Sequence, residues 1–384
     1  MVKYIDQSLW SDECVTKCII YNLCHGSPSA PCKCLNPHIQ NQRKCSDCQY
    51  ICRERIIEDE ETGLVIDFAS YVRDGLPLEK LEINQIDLGQ PPFLISTNTN
   101  RLPVGSKVPL NYVGIDIKEI FHGRNGSSVL DRPIFETEKA LRKYLRINDA
   151  PTIMAILNGK DDILENFWAM GKLNRLKLYK LFEKAGIKFA TCPTFSIIDE
   201  TLGFPASHNV CMLLRHNRVA DEMQQAEFNV VPNIYWRNES DILKWIDWIS
   251  HQDKLYYISR DFSRTKKGAP FKKQFSDFIK IIEEANKKLH VFIIGVGCVK
   301  AAAVTMNIEN AGCTCSIVTP DPVMEGIGKG AELKLNSNGD VSFSKNWDFN
   351  KDELAMKNIL TLNNHIDKYC AKNRQAKFKS NKAV

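Results

Sequence analysis

The sequence predicts an α/β chain: a TIM-like (β/α)8 barrel with a small N-terminal Cys-rich metal-binding module. Three observations lead there. Eight short apolar runs of strand length recur from Phe93 onward, most of them separated by helix-length amphipathic runs. One repeat, Leu289–Asp321, reads as strand, glycine turn, alanine-rich helix and strand with no long loop, the grammar of a parallel βαβ unit. Eight of the 14 cysteines fall between Cys14 and Cys52, ahead of the first repeat.

A chain of 384 residues has room for one large core and a smaller unit. Its 43% hydrophobic and 25% charged content is that of a soluble globular protein. No apolar run reaches the roughly 18–20 residues that span a bilayer. The first residues, MVKYIDQSLWSDEC, hold no apolar core of signal-peptide length. The expected location is therefore cytoplasmic. The composition divides the chain into a cysteine-rich module (1–60), a polar connection (61–90), the barrel (91–345), a C-terminal helix (346–371) and a basic tail (372–384). The tail carries no acidic residue, which suits either contact with nucleic acid or plain solvation.

The cysteine module reads Cys14-x3-Cys18-x5-Cys24, Cys32-x-Cys34 and Cys45-x2-Cys48-x3-Cys52. In a cytosolic setting such density points to metal rather than disulfides. Thiolates at short spacing suit tetrahedral zinc or an iron–sulfur cluster. Zinc is the favoured reading, because structural zinc commonly holds together a module that has no periodic apolar pattern of its own. The remaining cysteines sit mostly in apolar segments, where a thiol packs as a small hydrophobe.

Strands are expected at 93–96, 112–117, 152–157, 188–192, 230–235, 256–259, 291–294 and 316–319, with one more possible at 64–68. Helices are expected at 136–146, 163–184, 206–228, 240–250, 270–288 and 299–310, with Gly186 and Gly312 at C′ positions. Eight strands with crossover helices is the barrel count; a doubly wound open sheet is the alternative. The stretch 97–111 has no helical pattern. Gly295-x-Gly297 also looks like part of a dinucleotide fingerprint, but Lys300 stands where the third glycine belongs.

In a barrel, chemistry sits at the C-terminal ends of the strands. The loops there carry Arg101, Lys107, His122, Arg124, Arg264, Lys266 and Lys267, with Phe195, Tyr235, Trp236 and Phe262 among them. Cations around aromatic rings suit a nucleic-acid backbone with an extruded base; ordinary solvated loops are the plainer alternative.

The segment Leu289-His290-Val291-Phe292-Ile293-Ile294-Gly295-Val296-Gly297, followed by a helix and Ala311 to Pro320, resembles the last two strands of the tRNA-guanine transglycosylase superfamily. The family pattern there is HYLMGVG, then RGIDMFDCVLPTR. The resemblance spans roughly 90–330 and is most specific within 289–321. It implies a barrel that breaks or exchanges an N-glycosidic bond at a nucleobase. It is closest to the DNA-acting branch, the prokaryotic antiviral glycosylases that remove bulky modified bases such as glucosylated hydroxymethylcytosine from phage DNA. DNA is then the partner, with tRNA as the alternative. The family's nucleophilic aspartate falls near Ser316, its zinc motif after the last strand is absent, and Leu157-Asn158-Gly159-Lys160-Asp161-Asp162 replaces its TDSGGFQ motif. Those departures favour a glycosylase over a base-exchange enzyme that inserts a deazaguanine. A non-catalytic metal-containing nucleic-acid binder and an iron–sulfur redox enzyme are the rivals from other classes.

A glycosylase needs a carboxylate to stabilise an oxocarbenium-like sugar and orient water, and groups that grip the base. Asp261 ends the sixth strand, Asp116 lies within an apolar strand, and Asp161 and Asp162 follow the third. Each has a plain alternative: a turn cap, a solvent-facing strand residue, and a helix N-cap. Asn98, Asn158, Thr194, Ser196, Asn233, Trp236 and Ser316 are the expected base-binding set, and Arg101, His122, Arg124, Arg264, Lys266 and Lys267 the phosphate-binding set. For the module, elemental analysis of purified protein is expected to find bound zinc, with less in Cys45→Ser; a brown protein carrying iron and sulfide would contradict the zinc assignment.

Overall fold

The computed structural model describes residues 3–4, 57–58, 78, 81–89, 91–92, 94–98, 111–121, 130, 132–197, 206–265, 267–336, 340–346, 348 and 350–381. The eight module cysteines, the possible strand at 64–68, and Arg101, Lys107, His122, Arg124 and Lys266 lie outside the described residues.

Eight parallel strands form one sheet: β1 (Leu94–Asn98), β2 (Tyr112–Asp116), β3 (Thr152–Ile156), β4 (Ile187–Thr191), β5 (Val230–Val231), β6 (Tyr257–Asp261), β7 (His290–Ile294) and β8 (Thr314–Thr319). Their order is β5-β4-β3-β2-β1-β8-β7-β6, so neighbours in the sheet are neighbours in sequence. The last strand pairs back onto the first, with Ile317 opposite Leu94. A parallel bridge from Asn233 to Ser259 brings the two free edges together, making a nearly closed barrel.

The helices are α1 (Glu138–Leu145), α2 (Asp161–Ala169), α3 (Lys172–Lys184), α4 (Ala206–Gln225), α5 (Glu239–His251), α6 (Gly268–Glu284), α7 (Gly297–Asn310) and α8 (Lys351–Asn381). The single helix expected at 163–184 is two, because Gly171 takes φ 78 between α2 and α3. Between α7 and α8 lies a β-hairpin, β9 (Ala331–Leu335) and β10 (Val341–Lys345), that the strand pattern did not separate from the barrel. The final helix continues through most of the basic stretch read as a tail.

Alternation along each strand sends side chains to two separate cores. Ile95, Tyr112, Met154, Ile156, Phe189, Val231, Tyr257, Phe292, Ile294 and Val318 fill the barrel lumen. The other face of each strand packs under the helices, with Leu94, Val113, Ile153, Ala190, Ile258, Val291 and Ile317 in that outer core. Cys192, Cys298, Cys313, Cys315 and Cys370 are buried free thiols. Among the described residues no helix is long and apolar enough to cross a membrane.

The weak point is the seam between β5 and β6. The higher rungs are backbone bonds: Ser259 N donates to Pro232 O at 2.8 Å, and Ile234 N donates to Ser259 O at 2.8 Å. Continuing the parallel pattern downward would pair Tyr257 N with Val230 O, and the N–H of residue 232 with Tyr257 O. Position 232 is proline and has no N–H to give. The Gln85 amide fills the gap. Its Nε2 donates to Val230 O at 2.8 Å and to Tyr257 O at 2.7 Å, while Oε1 accepts from Tyr256 N and Tyr257 N, each at 2.7 Å. The segment around it crosses the N-terminal mouth: Tyr112 Oη donates to Leu88 O at 2.9 Å and Leu88 N donates to Tyr257 Oη at 2.6 Å.

Gln85→Ala takes the partner from four backbone groups at this seam, three of them in buried bonds. A loss of about 2–5 kcal/mol is expected from the cost of unsatisfied buried polar groups. Urea denaturation followed by circular dichroism checks it; a loss below about 1 kcal/mol, the range of an ordinary surface change, would contradict the staple.

Candidate active site at the C-terminal mouth of the barrel

Strand parity brings polar side chains to the lumen at the strand ends. The inner positions of Tyr112, Ile156, Phe189, Val231 and Tyr257 continue to Asp116, Asn158, Thr191, Asn233 and Asp261. Asp116, Asn158, Asp161, Thr194, Ser196, Asp261 and Arg264, all read as site residues from the sequence, therefore come from four βα loops to one mouth.

Asn158 is the hub. Its Oδ1 accepts from Thr191 Oγ1 at 2.8 Å, and Thr191 Oγ1 in turn accepts from Leu157 N at 3.0 Å. That fixes the amide, so Nδ2 donates to Thr194 Oγ1 at 2.7 Å and to Asp261 Oδ2 at 3.3 Å. The contact with Asp261 reaches from β3 to β6, across strands that are not neighbours in the sheet. Thr191 was missed in the sequence; its inward parity at the end of a strand is the signal that would have found it.

Asp261 is also held from its own loop. Its Oδ1 accepts from Ser263 N at 2.7 Å and from the Ser263 hydroxyl, the turn anticipated as its plainer role. The turn and the link to Asn158 coexist, because each carboxylate oxygen takes one of them. Gly295, after β7, is pressed against this turn: a Cβ there would lie 2.5 Å from Ser263 N. Gly159 makes the matching approach on the other side, where a Cβ would lie 2.6 Å from Ile117 Cγ2. Two close approaches, of Gly295 to the Ser263 backbone and of Gly159 to the Ile117 side chain, thus set the loops after β7 and β3 beside the segments that follow Asp261 and Asp116.

Asp116 ends β2 and caps the helical turn Ile117–Ile120, accepting from Lys118 N at 2.9 Å. Its carboxyl is half-buried. Desolvation pushes its pKa above the ordinary carboxylate value, against the opposing pull of the Lys118 N–H and charge; Glu119 and Asp261 push the same way as burial. Asp161 opens α2 and accepts from Ser196 Oγ and from Arg264, which forms an ion pair with it. Both partners are partly exposed, so the pair adds little stability but orients Arg264 at the rim. Asp162 is the second residue of the same helix.

Other expected residues lie elsewhere. Ser316 is not at a strand end: it pairs with Phe292 in mid-sheet, donates to Pro92 O and lies 2.8 Å from His290 Nε2. It faces the lumen well below the mouth, because three more residues of β8 follow it. Trp236 is buried, with the Arg260 guanidinium 4.3 Å above its ring, so that face is already covered. Phe195, Tyr235 and Phe262 are buried in the outer core rather than offered for stacking. Asn98 ends β1, and Lys267 is the exposed N-cap of α6. Arg260 was read only as a neighbour of Asp261; it is a buried cation held by Ile234 O at 3.0 Å and Gln274 Oε1 at 2.7 Å, and burial lowers its pKa to about 10. Among the described residues no group of three His, Cys, Asp or Glu is placed to hold a metal ion.

Set against known proteins, the chain matches no family model and no curated sequence. Functional reading therefore starts from the mouth itself.

Two buried histidines make the scaffold sensitive to acid. His216 Nε2 accepts from Asn233 N at 3.0 Å, which leaves the proton on Nδ1 facing Asn217 Oδ1 at 3.1 Å. Burial lowers the pKa of His216 to about 4 and that of His290 to about 3. The unfolded chain takes up these protons first, so stability is full above the unfolded value of about 6.5 and falls as pH drops toward the folded values. Unfolding free energies from urea titrations are expected to fall with a slope of about 2–3 kcal/mol per pH unit between about pH 6 and about pH 4.5. His290→Gln should roughly halve that slope; an unchanged slope would show that His290 is not neutral in the folded protein.

Proposed function

We propose that the chain is a DNA glycosylase: it hydrolyses the N-glycosidic bond of a modified nucleobase and leaves an abasic site. The observation that carries the reading is the pair Asp116 and Asp261 at the C-terminal mouth of a parallel barrel. One carboxyl is biased toward its protonated form by burial, and the other is held by Ser263 and Asn158. Two carboxyls in different environments suit an acid and an electrostatic partner.

Asp116 gives its proton to the departing base nitrogen as the C1′–N bond breaks. Asp261 stabilises the positive charge that develops on the sugar, orients a water molecule, and takes the proton that water loses on adding to C1′. The two carboxyls return to their starting states by exchange with solvent. Asn158, Thr194 and Ser196 lie where a base edge would enter, and Arg264 and Lys267 lie at the rim where phosphates would pass. Arg101, His122, Arg124 and Lys266 are assigned to phosphate on their sequence positions alone. The eight module cysteines, from Cys14 to Cys52, are assigned to zinc on their spacing. A modified phage DNA as substrate and an antiviral role rest on the resemblance of 289–321. Base exchange through a covalent intermediate is the weaker reading, because Ser316, aligned with the family nucleophile, is tied to His290 and Pro92 below the mouth.

The test uses plain DNA, hydroxymethylcytosine DNA and glucosylated phage DNA, with released base and alkali-labile sites as the readouts. Breaks confined to modified DNA are expected. Asp116→Asn and Asp261→Asn should each lower single-turnover cleavage by about 10²–10⁴-fold, the usual reach of acid–base groups. The wild-type rate should fall as pH rises through the pKa of Asp116, since the acid must be protonated. No release from any DNA, with or without a free deazaguanine, would leave a binding role as the better account.

A further inference from the structure

Asn233 stands at the lumen side of the chain just past β5, in the bridge with Ser259, and is 1% exposed. Its Nδ2 donates to Cys192 O at 2.7 Å. Its backbone N–H is taken by His216 Nε2. Turning the amide over would set Oδ1 against the Cys192 carbonyl, acceptor against acceptor, so the orientation is fixed. In that orientation Asn233 Oδ1 is buried without a hydrogen-bond partner. Thr97 Oγ1, on the lumen face of β1, is likewise buried and unpartnered. A buried acceptor with no donor is costly, and natural proteins keep few of them without a function.

Several donors around the mouth are engaged by protein groups. Asn158 Nδ2 serves Thr194 and Asp261, while Ser196 Oγ and Arg264 serve Asp161. Toward the lumen, Asn233 Oδ1 can only accept, while the Thr97 hydroxyl can accept or donate. The Asn233 acceptor calls for a ligand that presents an N–H group.

We propose that the mouth of the barrel selects a nucleobase bearing an exocyclic amine, and that Asn233 Oδ1 is the specificity-determining acceptor for that amine. The inference rests on the reading of the mouth as a nucleobase site. Cytosine and adenine present an amino group on the edge remote from the sugar. Uracil carries a carbonyl at the corresponding position, which would oppose Asn233 Oδ1 and leave two acceptors face to face. A site built around a hydrogen bond rejects a partner that lacks it far more strongly than an apolar pocket rejects a change of size.

Calorimetric titration of the full chain with free cytosine, adenine and uracil tests this without any bond cleavage. At least one amino base is expected to bind about 10-fold or more tighter than uracil. Asn233→Leu should bring that ratio close to one. The wild-type comparison stands even if the variant fails to fold. Equal affinities, tighter uracil binding or no binding of any base overturns the proposal. Selective binding of an amino base without cleavage of any DNA would remove the hydrolase reading and leave the selectivity standing. Cleavage of DNA with no preference among the free bases would do the reverse.

Discussion

Closure of the barrel at the β5–β6 seam is the constraint on which the rest depends. Six of the eight strands are five residues long and β8 is six, but β5 has only two paired residues before Pro232 removes a donor. An open seam there would leave buried backbone groups without partners and would separate the carriers of Asn233 and Asp261. The Gln85 amide supplies both a donor and an acceptor at the missing rungs, and a side-chain amide has the same hydrogen-bonding groups as the peptide it replaces. A segment that precedes the first barrel strand thus completes the last gap in the sheet.

That closure explains how the mouth is assembled. With the seam held, β6 ends opposite β3, and Asp261 meets Asn158 across the intervening strands. The two Asn158 amide protons go to Thr194 and Asp261, while its oxygen takes Thr191, so one residue ties three loops together. Gly295 and Gly159 press neighbouring loops into the same place, since neither position leaves room for a Cβ. The carboxylates are held from several directions before any ligand arrives, as electrostatic preorganisation requires.

The strands were legible because their apolar runs are short, separate and bounded by turn residues, and all eight fall where periodicity sets them. Less legible were the partners. Asp261 and Asn158 are 103 positions apart, and Gln85 lies 172 before Tyr257. No local pattern announces such pairs. Trp236, Phe195, Tyr235 and Phe262 looked like stacking surfaces because they stand beside strand ends, yet helix packing buries them. Ser316 was displaced from the site by register: the alignment that placed it near a nucleophile says nothing about how many residues of β8 follow it.

By itself the sequence determined the alternation of strand and helix, the count of eight strands and the presence of carboxylates in or beside the second and sixth of them, because these follow from local periodicity and from turn chemistry written within a few residues; barrel against open sheet was left to the tertiary structure. Only the tertiary structure decided which polar groups meet, which are satisfied and which acceptors are left facing the lumen. Those depend on shear, seam closure and side-chain orientation between strands distant in sequence, and hydrogen bonds of that kind are fixed by the closed barrel rather than by any one stretch of chain.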